Sequence, residues 1–546
     1  MDKNITVAQA LAQAIALAGV KRIFGLPGGR SCLDVIDATA QQGIDFILTK
    51  TESAAVMMAG AVAETSGVIG VALMTKGPGL ANGVNGVAYA SLDRAPVLVI
   101  TEGMAPKQLS FVTHQVYDQR AVLTPLVKGH SRLVGSDVIQ EIAGLIELAC
   151  TPPFGPVHIE LTSEVAQRIV NKLPDEKSSQ LIAVHKKTQV IDLSTLKKIS
   201  DRIIASRKPV VVLGLEARQH STAVRKFIEM LGCPVLPTYK AKGVVPDQDS
   251  QVVCLFTGGS QEAECIAQSD LMIMIGLDPV ELVAQAWPYG KPAIEIAASE
   301  HPKHYVNPEI SMIGPISEIL LSIETSLRQF SNSWTQDEMK VMRDDARDRL
   351  SYRKGSQGLA PDFVVQQTAQ ACAIRGLKPR MAVDAGAHMF SAAAFFPSHQ
   401  AGDTLISNGL GSMAFALPAA IGASLDDLSQ PVICFIGDGG LMMCLGELCT
   451  AIELNARVVI IVFNDSALSL IDIKQQSRHF EPIGVRWEPH NFAGIMEQLG
   501  GVGIKVKTED EFKAALNISL ENKKPCLIDV LIDPSGYSQQ LKAMRG

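Results

Sequence analysis

Uninterrupted apolar runs recur along this chain, spaced so that a helix fits between them. Pro431-Val-Ile-Cys-Phe-Ile436 and Val458-Val-Ile-Ile-Val-Phe463 are the clearest. Between them Leu445, Leu448, Ile452 and Leu454 are apolar, with Glu447 and Glu453 among them, as in a helix. A strand without polar alternation needs cover on both faces, which a parallel sheet between helices supplies. The first run closes on Gly437-Asp438-Gly439-Gly440 and the second on Asn464-Asp465. Glycines and oxygen donors thus stand at the carboxyl ends of strands, where open parallel sheets bind ligands. Glycine lets backbone N–H groups approach phosphate oxygens. A carboxylate, a side-chain carbonyl and a main-chain carbonyl are hard ligands suited to Mg²⁺, an ion that bridges phosphates. The unit reads as a Mg²⁺-diphosphate site. The competing reading is turn chemistry alone, for which Gly, Asn and Asp are also the preferred residues.

The same alternation fills the chain. With 546 residues it exceeds one core, and about 150 residues per domain gives three or four domains. The first block, 1–170, has strand-like runs at 22–25, 45–48, 70–74 and 96–100, and helical sequence at 6–18 and 53–65. A polar linker, 171–179, follows. A second block, 190–325, has buried-strand candidates at 209–213, 234–236 and 271–275. A charged helical stretch, 335–353, and a Gly/Pro-containing one, 355–361, lead to a third block, 362–535. Its strands are expected at 380–383, 431–436, 458–463 and 526–531. The fold class is therefore α/β, with three open parallel-sheet domains.

Composition narrows the function. Hydrophobic residues make up 47% and charged ones 19%, the balance of a globular enzyme with large buried sheets. The net charge is −7, and no basic tract appears, which argues against a nucleic-acid partner. Ten cysteines lack paired spacing and read as small buried apolar residues. No run of 18 apolar residues and no signal-peptide core is found, so no membrane role and a cytoplasmic location are expected.

The Gly-Asp-Gly strand end, followed by an Asn pair after the next strand, resembles the thiamine diphosphate (ThDP) motif. Three α/β blocks in this order resemble the pyrimidine, middle and diphosphate domains of the acetolactate synthase and 2-oxo acid decarboxylase superfamily. The resemblance extends through Gly25-Leu-Pro-Gly-Gly29, Thr75-Lys-Gly-Pro-Gly79, Gly155-Pro-Val-His-Ile159, Asp384-Ala-Gly-Ala-His388 and Gly409-Leu-Gly-Ser-Met413. It implies that Glu52, opening a helix, hydrogen-bonds N1′ of the aminopyrimidine and shifts it to the imino tautomer that removes the C2 proton. It implies Asp438 and Asp465 as metal ligands with the Ala467 carbonyl, with Asn464 as the alternative to Asp465. Gly28, Gly386, His388, Gly411, Gly437, Gly439 and Gly440 would contact the coenzyme, and Met413 would support its bend. Gln115 matches an active-site Gln, and His114 replaces the family Phe beside it.

Other departures carry charge. Lys76 replaces a Ser, Lys474 a Trp and Ser469 a Gly, and the two lysines lead us to expect an anionic or extended acceptor. The middle block lacks the family's Gly-Ala-Arg-Phe-Asp-Asp signature, showing Gly276-Leu-Asp-Pro-Val280, so FAD is doubtful. The resemblance implies a ThDP- and Mg²⁺-dependent enzyme that decarboxylates a pyruvate-like 2-oxo acid and ligates the fragment to a carbonyl acceptor. A non-ligating decarboxylase is the alternative, and an inactive coenzyme-binding paralog a more remote one. A homodimer or homotetramer with active sites at the subunit interface is also implied.

Overall fold

Each of the three stretches of alternation builds its own parallel sheet. The computed structural model describes residues 4–171, 191–282, 287–301, 307–352 and 357–546. The first sheet runs Asp45–Leu48, Arg22–Leu26, Gly70–Met74, Val97–Glu102, Val157–Leu161, His130–Ser131. The second runs Val235–Pro237, Pro209–Leu213, Leu271–Ile275, Ala293–Ala297, Ile310–Ile313. The third runs Thr404–Ile406, Arg380–Val383, Val432–Gly437, Val458–Asn464, Cys526–Leu531, Val502–Val506. A small antiparallel pair joins Asn4–Thr6 to Ile169–Asn171. All seven residues of Val458–Asn464 are buried, as an unbroken apolar strand requires.

The strand order is what positions the candidate residues. In the first sheet it reverses between Arg22–Leu26 and Gly70–Met74, and in the third between Arg380–Val383 and Val432–Gly437. Ligands of open α/β sheets bind at such reversals. The loops that leave these strands carry Gly28 and Thr75–Gly77 in the first sheet. In the third they carry 384–388 and 438–440.

The chain packs as two compact units. One is Met1–Lys187 with Gly409–Ser429 and Cys444–Ala456; the other is Thr188–Asn408 with Gln430–Met443 and Arg457–Gly546. Helices Ala416–Asp426 and Glu447–Glu453, which follow third-block strands in sequence, thus belong to the first unit. The polar linker lies, beyond Asn171, outside the described residues, as do Arg353 and the start of 355–361. Among the described residues no helix is long and apolar enough to cross a membrane.

In the first unit the helix Glu52–Ser66 is apolar from Ala54 to Ala63, and all of these residues but Val62 are buried. Small residues permit the approach. A Cβ on Gly422 would lie 2.6 Å from the Met58 carbonyl, and one on Gly86 would lie 2.7 Å from the Ser53 carbonyl. The helix start is fixed from across the unit. Glu447, fully buried, accepts hydrogen bonds from the Lys50 and Thr51 backbone N–H groups, each 3.0 Å, and from the Thr450 hydroxyl at 2.8 Å. Those two N–H groups precede the first helical turn, and a carboxylate there also complements the helix dipole. Glu447→Ala is expected to destabilise the unit by about 2–4 kcal/mol, since it leaves buried donors unpaired. Thermal denaturation checks this, and a loss below about 1 kcal/mol contradicts the anchoring role.

Candidate active site

Glu52 is the first residue of its helix, with Thr51 as N-cap accepting from the Ala54 N–H. It is 8% exposed, and its Oε2 accepts from the Asn82 amide on the facing helix Pro78–Leu92. The other carboxylate oxygen points to the glycine turn: a Cβ on Gly79 would stand 3.3 Å from Glu52 Oε1. Gly28 is obligatory beside this turn, because a Cβ would come within 2.2 Å of Thr75 Oγ1.

A strap of hydrogen bonds joins the glycine turn to the segment carrying Gln115. The Gln119 side chain accepts from the Gly77 N–H at 3.2 Å and donates to the Glu102 carbonyl at 2.9 Å. The Tyr117 hydroxyl donates to the Gly77 carbonyl at 2.8 Å. Gln115 itself adopts φ +59° and presses on Gly77, whose Cβ would lie 2.8 Å from that of Gln115. Gln115 and His114 are both exposed. Gly411, at φ +69°, is exposed, and Met413 is half-buried; both lie in this first unit.

Lys76 corrects one expectation. It is not a free charge, since its Nζ lies 2.6 Å from Glu102 Oε1, with side-chain exposures of 14% and 2%. Glu102 ends the strand Val97–Glu102 and also accepts from Thr75 Oγ1 at 3.3 Å. The pair cancels the charge that the lysine alone suggested. Sequence gave no sign of this partner, because the two residues meet only through adjacent parallel strands.

The second unit holds the oxygen donors. Asp438 and Asp465 follow the neighbouring strands Val432–Gly437 and Val458–Asn464, paired at Gly437 and Phe463. Asp438 is buried and accepts from the Gly439 N–H at 2.8 Å and the Ser466 N–H at 2.7 Å. Ser466 reaches it through a positive φ of 59°. Asp465 accepts from the Ser469 hydroxyl at 2.5 Å, which gives that departure from the family pattern a place in the site. Burial, then the Asp465 charge, pushes Asp438 up to about 7. Burial pushes Asp465 up to about 6. Among the described residues, no cation stands against these two carboxylates. Ala467 stands two residues beyond Asp465, paired in an isolated bridge with Arg486. Asn464 is engaged elsewhere, its amide donating to Asp529 at 2.8 Å and to the His490 carbonyl at 3.2 Å. Sequence reasoning missed Asp529, an acid inside the strand Cys526–Leu531 whose only signal was its interruption of an apolar run. Among the described residues no three His, Cys, Asp or Glu side chains gather to hold a metal, so any cation here depends on backbone oxygens as well.

His388 opens the helix His388–Phe395, is buried, and stacks on Phe463 with ring centroids 5.2 Å apart. Burial pushes it down to about 4, which keeps the ring neutral. The Phe435 backbone holds one ring nitrogen, and Nε2 has no partner. Gly386 and Gly437 flank the ring: their Cβ atoms would lie 2.7 Å and 3.4 Å from His388 Cε1. Gly440 admits Asp384, whose Oδ2 would be 2.1 Å from a Cβ there. Gly439 supplies the N–H already described. Lys474 is exposed on the helix Ser469–Ser477.

The raised Asp438 pKa has a stability consequence. The folded protein holds a proton there that the unfolded chain releases near pH 4, so stability contributed by this site falls as pH rises from about 4 to about 7. Asp438→Asn is therefore expected to raise the melting temperature of EDTA-treated protein at pH 8, corresponding to about 1–3 kcal/mol, with little effect near pH 4.5. Equal effects at both pH values contradict the assignment.

Comparison with known proteins agrees with this arrangement. Residues 5–122 match the thiamine pyrophosphate enzyme N-terminal TPP binding domain, 196–323 the central domain, and 384–530 the C-terminal TPP binding domain. The acetolactate synthase isozyme 3 large subunit of Escherichia coli (strain K12) is 28% identical, covering 99% of this chain and 97% of that one. The acetolactate synthase of Bacillus subtilis (strain 168) is 26% identical, covering 97% and 93%. The acetolactate synthase large subunit of Lactococcus lactis subsp. lactis (strain IL1403) is 28% identical, covering 98% and 94%. With its three sheets matched in order by the three domains of thiamine pyrophosphate (thiamine diphosphate) enzymes, and with these relatives near full length, the chain belongs to that family and is acetolactate synthase-like.

Proposed function

We propose that this protein decarboxylates a 2-oxo acid such as pyruvate and transfers the remaining acyl fragment to an acceptor carbonyl, using ThDP and Mg²⁺. The observation that carries the reading is the combination of Glu52, enclosed at a helix start, with two uncompensated carboxylates and the open Nε2 of His388 at a strand-order reversal. Hard oxygen donors at Asp438, Asp465 and the Ala467 carbonyl fit Mg²⁺, which relieves the repulsion between the acids. Asp465 brings the anionic oxygen; Asn464 is the alternative, since its amide nitrogen donates to Asp529 and His490 and its Oδ1 is not used in either bond. His388 Nε2 and the backbone at Gly386, Gly437, Gly439 and Gly440 fit a diphosphate. Gly28, Gly411 and Met413 border the organic part of the coenzyme.

Bound ThDP supplies an electron sink for decarboxylation. The chain supplies proton handling and orientation. Glu52 would hold the aminopyrimidine N1′ and handle its proton, while Asn82 holds Oε2 and fixes the carboxyl plane. Gln115, set by the Gly77–Gln119 strap, and His114 beside it address the substrate. The domain limits that go with this reading are 1–170, 190–325 and 362–535. The working form is a homodimer or homotetramer in which Glu52 of one subunit serves the diphosphate half of another. FAD is not part of the proposal. At the strand-order reversal of the middle sheet, Glu216 and Asp278 flank His301, with Glu216 3.2 Å from His301 Nε2, and these acids oppose a dinucleotide diphosphate.

The direct test is incubation with ThDP, Mg²⁺ and pyruvate and identification of the product by NMR. A 2-hydroxy-3-oxo acid supports ligation, acetaldehyde alone makes the enzyme a simple decarboxylase, and no turnover of any 2-oxo acid removes the proposal. Glu52→Gln is expected to lower C2 proton exchange of bound ThDP by at least about 100-fold while leaving its affinity within a few-fold. Exchange at the wild-type rate rules out the role. Asp438→Ala is expected to abolish Mg²⁺-dependent ThDP binding in a calorimetric titration, whereas Asp465→Asn, which keeps an oxygen donor, retains it. Lys474, which unlike Lys76 has no acid beside it in the described residues, is expected to favour anionic acceptors by about 1–3 kcal/mol through a charge-assisted hydrogen bond. Lys474→Trp should then shift the kcat/KM ratio of anionic to neutral acceptors, and an unchanged ratio marks the lysine as a surface charge.

A further inference from the structure

The second unit contains a cavity that the preceding chemistry does not use. Its volume is about 310 Å³, at the small end of the range of ligand pockets, roughly 300–1,000 Å³. One wall is the helix Gln336–Leu350, which presents Arg343, Ala346, Arg347 and Leu350 along one face. The opposite walls come from residues 252–255 with Gln261, and from 393–397. The lining is part polar and part apolar, and Phe395, Leu350 and Val253, all buried, make up its apolar side.

Three polar side chains line this space. Gln261 is 4% exposed; its amide nitrogen donates to the Ala346 carbonyl at 3.1 Å, and its Oε1 is buried with no donor. Buried acceptors are normally satisfied, so this oxygen marks the place for a ligand donor. Arg347 lies over the Phe395 ring at 5.4 Å, and Arg343 donates only to the Asp249 carbonyl at 3.3 Å. Neither guanidinium has a carboxylate partner among the described residues; the nearby Asp345 pairs with Arg349 at 3.1 Å. Asp247, the acid on the cavity wall, is taken by Lys242 and by the Ser398 N–H at 2.9 Å. The cavity thus offers two cations and one neutral acceptor, and no free acid for an ammonium group.

We propose that this cavity binds a small apolar 2-hydroxy acid. The carboxylate pairs with Arg347 and Arg343, the hydroxyl donates to Gln261 Oε1, and the hydrocarbon part packs on Phe395, Leu350 and Val253. The assignment is independent of the ThDP chemistry, since none of these residues belongs to the candidate active site. It is tested by isothermal titration of the full chain with 2-hydroxyisovalerate and with isovalerate, which lacks the hydroxyl. The hydroxy acid is expected to bind about tenfold or more tightly than isovalerate, as fits one recovered buried hydrogen bond. Arg347→Ala weakens both by about tenfold, Gln261→Leu removes the difference between them, and Glu52→Gln changes neither. Equal affinity for the two acids, no binding at millimolar concentration, indifference to Arg347→Ala, or loss in Glu52→Gln each overturns the proposal. If Gln261→Leu does not fold, the comparison of the two acids and the Arg347→Ala titration decide, because Arg347 is exposed and its removal spares the core.

Discussion

Two carboxylates that follow adjacent buried strands carry an electrostatic cost that no cation offsets among the described residues. Asp438 and Asp465 are brought together because Val432–Gly437 and Val458–Asn464 pair in parallel, so their carboxyl ends coincide. Backbone N–H groups at Gly439 and Ser466 and the Ser469 hydroxyl fix the carboxylates without neutralising them. Opposite charge is the strongest compensation available in a low-dielectric site, so a bound cation would relieve this penalty. The positive φ at Ser466 follows from holding that geometry, while glycine at 440 makes room for Asp384.

A second constraint operates in the first unit. The helix that Glu52 opens is locked by small residues, by Glu447 at the Lys50 and Thr51 N–H groups, and by the Lys50–Glu453 ion pair. One carboxylate oxygen of Glu52 accepts from Asn82, which orients the group while the other oxygen faces the glycine turn. The same unit pairs Lys76 with Glu102, so the cation nearest the glycine turn serves structure. Both devices place charge where burial would otherwise oppose it, and both use partners distant in sequence.

Long apolar strands were readable from residues alone. The runs at 45–48, 70–74, 209–213, 271–275, 380–383 and 526–531 coincide with the strands, because a fully buried strand admits few polar residues and so leaves a plain pattern. Weaker strands escaped. Thr404–Ile406 and His130–Ser131 are too short for a pattern, and Val502–Val506 is a half-buried edge strand carrying Gly503 and Lys505. Each owes its conformation to a neighbouring strand rather than to its own composition.

The sequence by itself determined the α/β class, the order of the three blocks and the chemical types at the strand ends, since these depend on local periodicity and on residues adjacent in the chain. It also singled out Glu52, Asp438, Asp465 and His388 as residues to watch. Tertiary structure decided which of these have partners. It cancelled Lys76 with Glu102, committed Asn464 to Asp529, left His388 Nε2 open, and brought Gln261 beside Arg343 and Arg347. Those outcomes rest on strand order and helix packing, which juxtapose residues up to hundreds of positions apart, and no local pattern encodes such distances.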